Sequence, residues 1–173
     1  MINYSFKSRI YPISIFAATA SILQLLEIYF IFPIPFLKIG LANSIILMLI
    51  YKRLYLEGVL VNLIRILAGG FFSGRLFSLP FIFSLSGGVM SFIAMLIFFI
   101  LFRKLFSLTT VSITGALTHN FTQLFLLNYF FINSSIGFNL VLPITLFSCV
   151  SGFFVALFSS KLISSVGSLS VKS

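Results

Sequence analysis

Long apolar runs, interrupted by short clusters of charge, proline and glycine, dominate the chain. Six runs stand out, at about 10–32, 38–51, 58–72, 80–102, 107–132 and 138–160. The first, fourth, fifth and sixth each offer roughly 20 apolar residues, enough for a helix at 1.5 Å per residue to cross a hydrocarbon core of ~30 Å. The second and third are shorter, at about 14–15 residues. They need extension at their ends or local thinning of the bilayer to cross, or they form a membrane hairpin. Pro33-Ile34-Pro35 ends the first run, because neither proline donates an amide hydrogen. Ser78 and Pro80 read as the start of the fourth helix, and the Ser-rich tail after Lys161 reads as mobile.

The basic residues test this count. With a cytoplasmic N-terminus and six crossings, one side receives Lys7, Arg9, Lys52, Arg53, Arg103, Lys104, Lys161 and Lys172. The other receives only Lys38 and Arg75, while Arg65 stays inside a helix. That asymmetry obeys the positive-inside rule. It survives if both short runs cross or neither does. The expected architecture is therefore an all-α integral membrane bundle of six helices, one domain over 1–173, with both termini cytoplasmic. Ala18-Thr19-Ala20 has the form of a signal-peptidase site, but the apolar run continues past it to Phe32, so the first helix is expected to stay.

Composition narrows the chemistry. Hydrophobic residues make up 60% of the chain and charged ones 8%, too few for a water-solvated surface. The net charge of +9 is scattered between apolar runs rather than gathered on a stripe, which argues against nucleic acid. Glu27 and Glu57 are the only acids and there is no aspartate, so a carboxylate cluster around Mg²⁺ or Ca²⁺ is excluded. Cys149 is the single cysteine and His119 the single histidine, which leaves no multi-cysteine metal site and no cofactor ligand set. There is no P-loop motif, so the chain is not expected to hydrolyse ATP in that manner. A non-enzymatic role without cofactors is expected.

Ionisable and amide side chains inside membrane runs mark candidate function. Glu27 sits late in the first run, Lys38 and Asn43 early in the second, and Arg65 near the middle of the third. In the fifth, His119 and Gln123 are four apart with Asn120 beside them. These positions share one depth, from mid-membrane outward, and point to a common outward-facing pocket rather than a polar-lined channel. The surplus of Lys38 and Arg65 over Glu27 suits a ligand carrying a carboxylate or phosphate. Competing readings stand beside these: a structural Glu27–Arg65 ion pair, a snorkelling Lys38, and His119, Asn120 and Gln123 as interhelical glue. If the pocket reading holds, Arg65→Met and His119→Ala should weaken ligand binding more than folding. Ala17 and Ser21 give the first helix a small-residue face suited to close packing, within the bundle or against another membrane subunit.

The order of motifs carries a resemblance. Lys38-Ile39-Gly40-Leu41-Ala42-Asn43 is followed by Arg65-Ile66-Leu67, then Phe77-Ser78-Leu79-Pro80, Ser84-Leu85-Ser86-Gly87-Gly88 and Gly115-Ala116-Leu117-Thr118-His119-Asn120-Phe121-Thr122-Gln123. Over roughly residues 10–160 this resembles the Gx transporter family, also labelled heptaprenyl diphosphate synthase component I. It is similar in organisation to the substrate-binding S components of energy-coupling factor (ECF) vitamin transporters. Phe36 is a departure, standing where a glycine is expected. The resemblance implies a multi-pass protein of the bacterial inner membrane that captures a small substrate from outside. It further implies docking through Ala17 and Ser21 onto a transmembrane coupling subunit driven by ATPases. The synthase label leaves open an accessory role in isoprenoid or quinone metabolism, since a chain without aspartate cannot supply Asp-rich segments for a diphosphate.

Overall fold

The apolar runs fold as helices: α1 (Ile2–Tyr29), α2 (Leu41–Tyr51), α3 (Tyr55–Phe72), α4 (Leu79–Phe102), α5 (Leu108–Phe131) and α6 (Ile136–Ser170). The computed structural model describes residues 2–29, 39–102, 105–131 and 136–170. Lys38 and Phe36 lie outside the described residues. Six helices agree with the six runs, but several ends differ for identifiable reasons. The first helix begins at Ile2 and continues through Pro12, which removes only one backbone donor from a long ladder. The Ser-rich tail continues α6 as helix to Ser170, and Leu162 and Ile163 at its start pack on the core. The second helix begins at Leu41 instead of residue 38. Gly40 at its N-terminus has φ 82°, a left-handed conformation that keeps Gly40 itself out of the helix.

Among the described residues, four helices are long and apolar enough to cross a membrane: α1 over Tyr11–Tyr29, α3, α4, and α6 over Asn139–Ser165. This alters the ranking from sequence. The third segment is long enough after all, extended at its start to 18 residues. The fifth has 24 residues but is not among the four, because its threonines, His119, Asn120 and Gln123 lower its hydropathy. At 11 residues α2 spans only about 16 Å, roughly half of a bilayer core.

In the bundle α4, α5 and α6 pack in sequence, α1 packs on α3, and α2 sits between them against α1, α3, α4 and α6. Every residue of α2 from Ala42 to Ile50 is buried. A helix that is apolar all round belongs inside, and this one is walled by protein. The apolar core gathers toward the α2–α3 turn, from Ile46, Leu49, Val61, Met95, Phe99 and Val111. The polar side chains of α1, α2, α3 and α5 lie toward the opposite end, beside the α3–α4 turn.

Candidate functional site

Arg65 projects from the middle of α3 and is 5% exposed. Nε and Nη2 donate to Asn62 Oδ1 at 3.1 and 2.8 Å, Nη1 donates to Gln24 Oε1 at 3.1 Å, and Nη2 donates to Asn43 Oδ1 at 2.6 Å. One guanidinium therefore collects amide oxygens from α1, α2 and α3, and its planar fork suits that task. The amides face outward from it. Asn62 Nδ2 donates to the carbonyl of Gly88 on α4 at 3.1 Å, which extends the network to a fourth helix.

Glu27 stands one turn beyond Gln24 on α1. Its Oε1 accepts the backbone N–H of Leu41, the first residue of α2. Gly40 offers no side-chain cap to that helix, so a carboxylate from α1 satisfies an orphan donor and meets the positive end of the helix dipole. Glu27 also acts on Arg65 electrostatically.

On α5, Gln123 Nε2 lies 3.1 Å from His119 Nε2 and 3.5 Å from the carbonyl oxygen of Phe83 on α4. With the amide donating, His119 Nε2 is the acceptor nitrogen of a neutral ring. The ring lies against Gly87, where an added Cβ would come within 3.1 Å of Cε1 and Nδ1. Asn120 turns the other way and donates through Nδ2 to Ser148 Oγ of α6 at 2.8 Å.

Two cavities connect these groups. One, of about 300 Å³, has exposed Arg75 and Pro80 at its mouth and buried Gln24, Gln123, Ile66 and Phe83 deeper in. The other, of about 10 Å³, is lined by Asn43, Ser112, His119, Asn120 and Ser151, and has room for about one water molecule. Thus Asn43 and Arg65 join one polar group, His119 and Gln123 a second, and Asn43 shares the small cavity with His119 and Asn120. Glu27 caps a helix at the edge of the first group. Lys38 lies outside the described residues. A third cavity, of about 480 Å³, opens at the α2–α3 end beside Phe16, Arg53 and Tyr55.

Ala17 and Ser21 are buried in the bundle, and the Ser21 hydroxyl donates to the carbonyl of Ala17 at 2.7 Å. Among the described side chains, the small residues that α1 turns outward are Ser14, Ala18 and Thr19. Sequence reasoning missed Gln24 and Asn62. Each precedes a charged residue by three positions, Gln24 before Glu27 and Asn62 before Arg65, and that spacing on one helix face was the available signal.

An all-helical membrane chain with this polar interior fits the comparison with known families. Residues 16–162 match the family described as heptaprenyl diphosphate synthase component I, and the chain belongs to that family. Neither the curated proteins nor the solved structures yield a match.

Proposed function

We propose that the chain is a non-enzymatic, S-component-like subunit of the bacterial inner membrane, with both termini cytoplasmic. It binds a small anionic or amphiphilic substrate and passes it across with a coupling subunit driven by ATPases. The observation that carries this reading is the cavity of about 300 Å³ whose deep end is set with the buried amides of Gln24 and Gln123 and whose mouth holds Arg75. A concave, mainly apolar pocket with a few placed polar groups is how small-molecule sites are built. The binding set is then Gln24, Gln123 and Arg75 in contact with substrate. Asn43, Arg65, His119 and Asn120 hold that set in place, Glu27 fixes α2, and Lys38 is a further cation for an anionic substrate. Docking falls to α1, through the outward face bearing Ala18 and Thr19, while Ala17 and Ser21 let the helix close onto the bundle behind it.

Reconstitution with an ATPase-driven coupling complex tests the proposal. Substrate-dependent stabilisation and ATP-dependent uptake are the expected results. Absence of both co-purification and ligand stabilisation would overturn it.

The family's description favours a second reading, a non-catalytic membrane partner of heptaprenyl diphosphate synthase in isoprenoid or quinone metabolism. Unchanged polyprenyl chain lengths and quinone levels after gene deletion would exclude it.

A further inference from the structure

We infer that the groove of about 480 Å³ between α1 and the α2–α3 turn seats an anionic phospholipid, its acyl chain on the apolar walls and its phosphate on Arg53. This groove shares no lining residue with the proposed substrate cavity.

The α2–α3 turn places an unusual residue at its tightest point. Arg53 has φ 61°, in the left-handed region. Its N–H donates to the carbonyl of Ile50 at 2.9 Å, and the N–H of Leu54 donates to the carbonyl of Leu49 at 2.9 Å, the two bonds of a Schellman helix end. The end of α3 repeats the arrangement. There the N–H of Gly74 donates to the carbonyl of Phe71 at 3.1 Å, and that of Arg75 to the carbonyl of Gly70 at 2.9 Å. The left-handed residue in that copy is Gly74, at φ 67°, with no Cβ to clash. Glycine would serve the backbone of position 53 equally well. An arginine held in that strained conformation points to a task for its side chain.

Arg53 lines the groove. The walls are Pro12, Ile13 and Phe16 from α1 and Leu49, Leu54 and Leu56 from the α2–α3 hairpin. Tyr55 and Glu57 complete the lining. Glu57 stands in the first turn of α3, where its charge meets the positive end of the helix dipole. Lys52 adjoins Arg53 in the turn, so that among these three charges the cations prevail. The complementary occupant has a long apolar part and an anionic end. A bilayer supplies such a molecule where its helices stop, and basic pockets between membrane helices hold lipid head groups in this way. The planar fork of Arg53 matches two oxygens of one phosphate.

Tryptophan fluorescence tests the assignment, because the chain has no tryptophan of its own. Phe16→Trp and, separately, Ile13→Trp put a reporter in the groove, and Phe158→Trp puts one on the exposed surface of α6. The full chain is reconstituted in phosphatidylcholine vesicles doped with brominated phosphatidylglycerol, phosphatidylethanolamine or phosphatidylcholine of matched acyl chains. Brominated phosphatidylglycerol should half-quench both groove reporters at about fivefold lower mole fraction than either zwitterionic lipid, the scale of one basic side chain on an anionic lipid. At Phe158→Trp the three lipids should quench alike. Arg53→Gly should abolish the preference in the groove, while its unfolding temperature in lipid-free detergent does not fall, because glycine suits the left-handed turn. Equal quenching of the groove reporters by all three lipids, or strongest quenching by phosphatidylethanolamine, would overturn the anionic assignment. Groove reporters that no lipid quenches would overturn the lipid site and give the groove to a protein occupant. A preference that survives Arg53→Gly, or a fall in that variant's unfolding temperature, would overturn the assignment of the phosphate to Arg53.

Discussion

The guanidinium of Arg65 binds amide oxygens from three helices, so its removal acts first on the fold. Arg65→Met would leave the carbonyl oxygens of Gln24, Asn43 and Asn62 buried without their donor. Each such group costs about 1–3 kcal/mol. The variant should therefore show a clear fall in unfolding temperature and in yield of folded protein, measured in detergent. This reverses the expectation from sequence that Arg65→Met weakens binding more than folding. Arg65→Lys should recover little of the loss, because an ammonium cannot present a planar fork to three oxygens. That Arg65 would organise its surroundings was legible, since a mid-helix arginine demands partners. Which partners it takes was not. Gln24 and Asn62 are neutral and lie in apolar runs, and only the facing of α1 and α2 against α3 reveals that their oxygens converge.

At the scale of elements, α2 is held at its start by its neighbour. Glu27→Ala removes the acceptor for the Leu41 amide and should destabilise the protein by about 1–2 kcal/mol, with Glu27→Gln costing less because an acceptor oxygen remains. Thermal unfolding of the two variants in one detergent checks the ordering. On the far side of the bundle, α5 and α6 approach closely at Gly152, where an added Cβ would lie 2.7 Å from the Cα of Ile113. Backbone cannot swing aside as a side chain can, so Gly152→Ala should cost about 1–3 kcal/mol by the same assay. The number of helices was readable from the spacing of the apolar runs. Their ends were less so. Pro12 suggested a boundary but a long helix absorbs it, and the tail's serines concealed Leu162 and Ile163, whose packing depends on core residues distant in sequence.

For the whole molecule, the sidedness inferred from Lys and Arg requires the second and third helices either both to cross the bilayer or both not to. In a Cys149→Ser background, single cysteines at Leu54 and Phe77 sit in the turns at opposite ends of α3, both exposed. A membrane-impermeant thiol reagent applied to intact cells should label Phe77→Cys and spare Leu54→Cys until the membrane is opened. Equal labelling from outside would show that α3 does not cross. The polar positions within the first, second, third and fifth runs were visible along the chain. The division of the polar interior into two groups was not, because it arises from α4 presenting Gly87 to His119 and Gly88 to Asn62.

Helix α2 makes no independent claim on lipid: it is half the length of a crossing and buried from Ala42 to Ile50. Part of its enclosure comes from α6, which follows it in the chain only after α3, α4 and α5. During synthesis, then, this stretch waits through three further helices for its final wall, and the nascent chain cannot close its interior before α6 arrives. Loss of α6 would expose the centre of the protein rather than trim its edge.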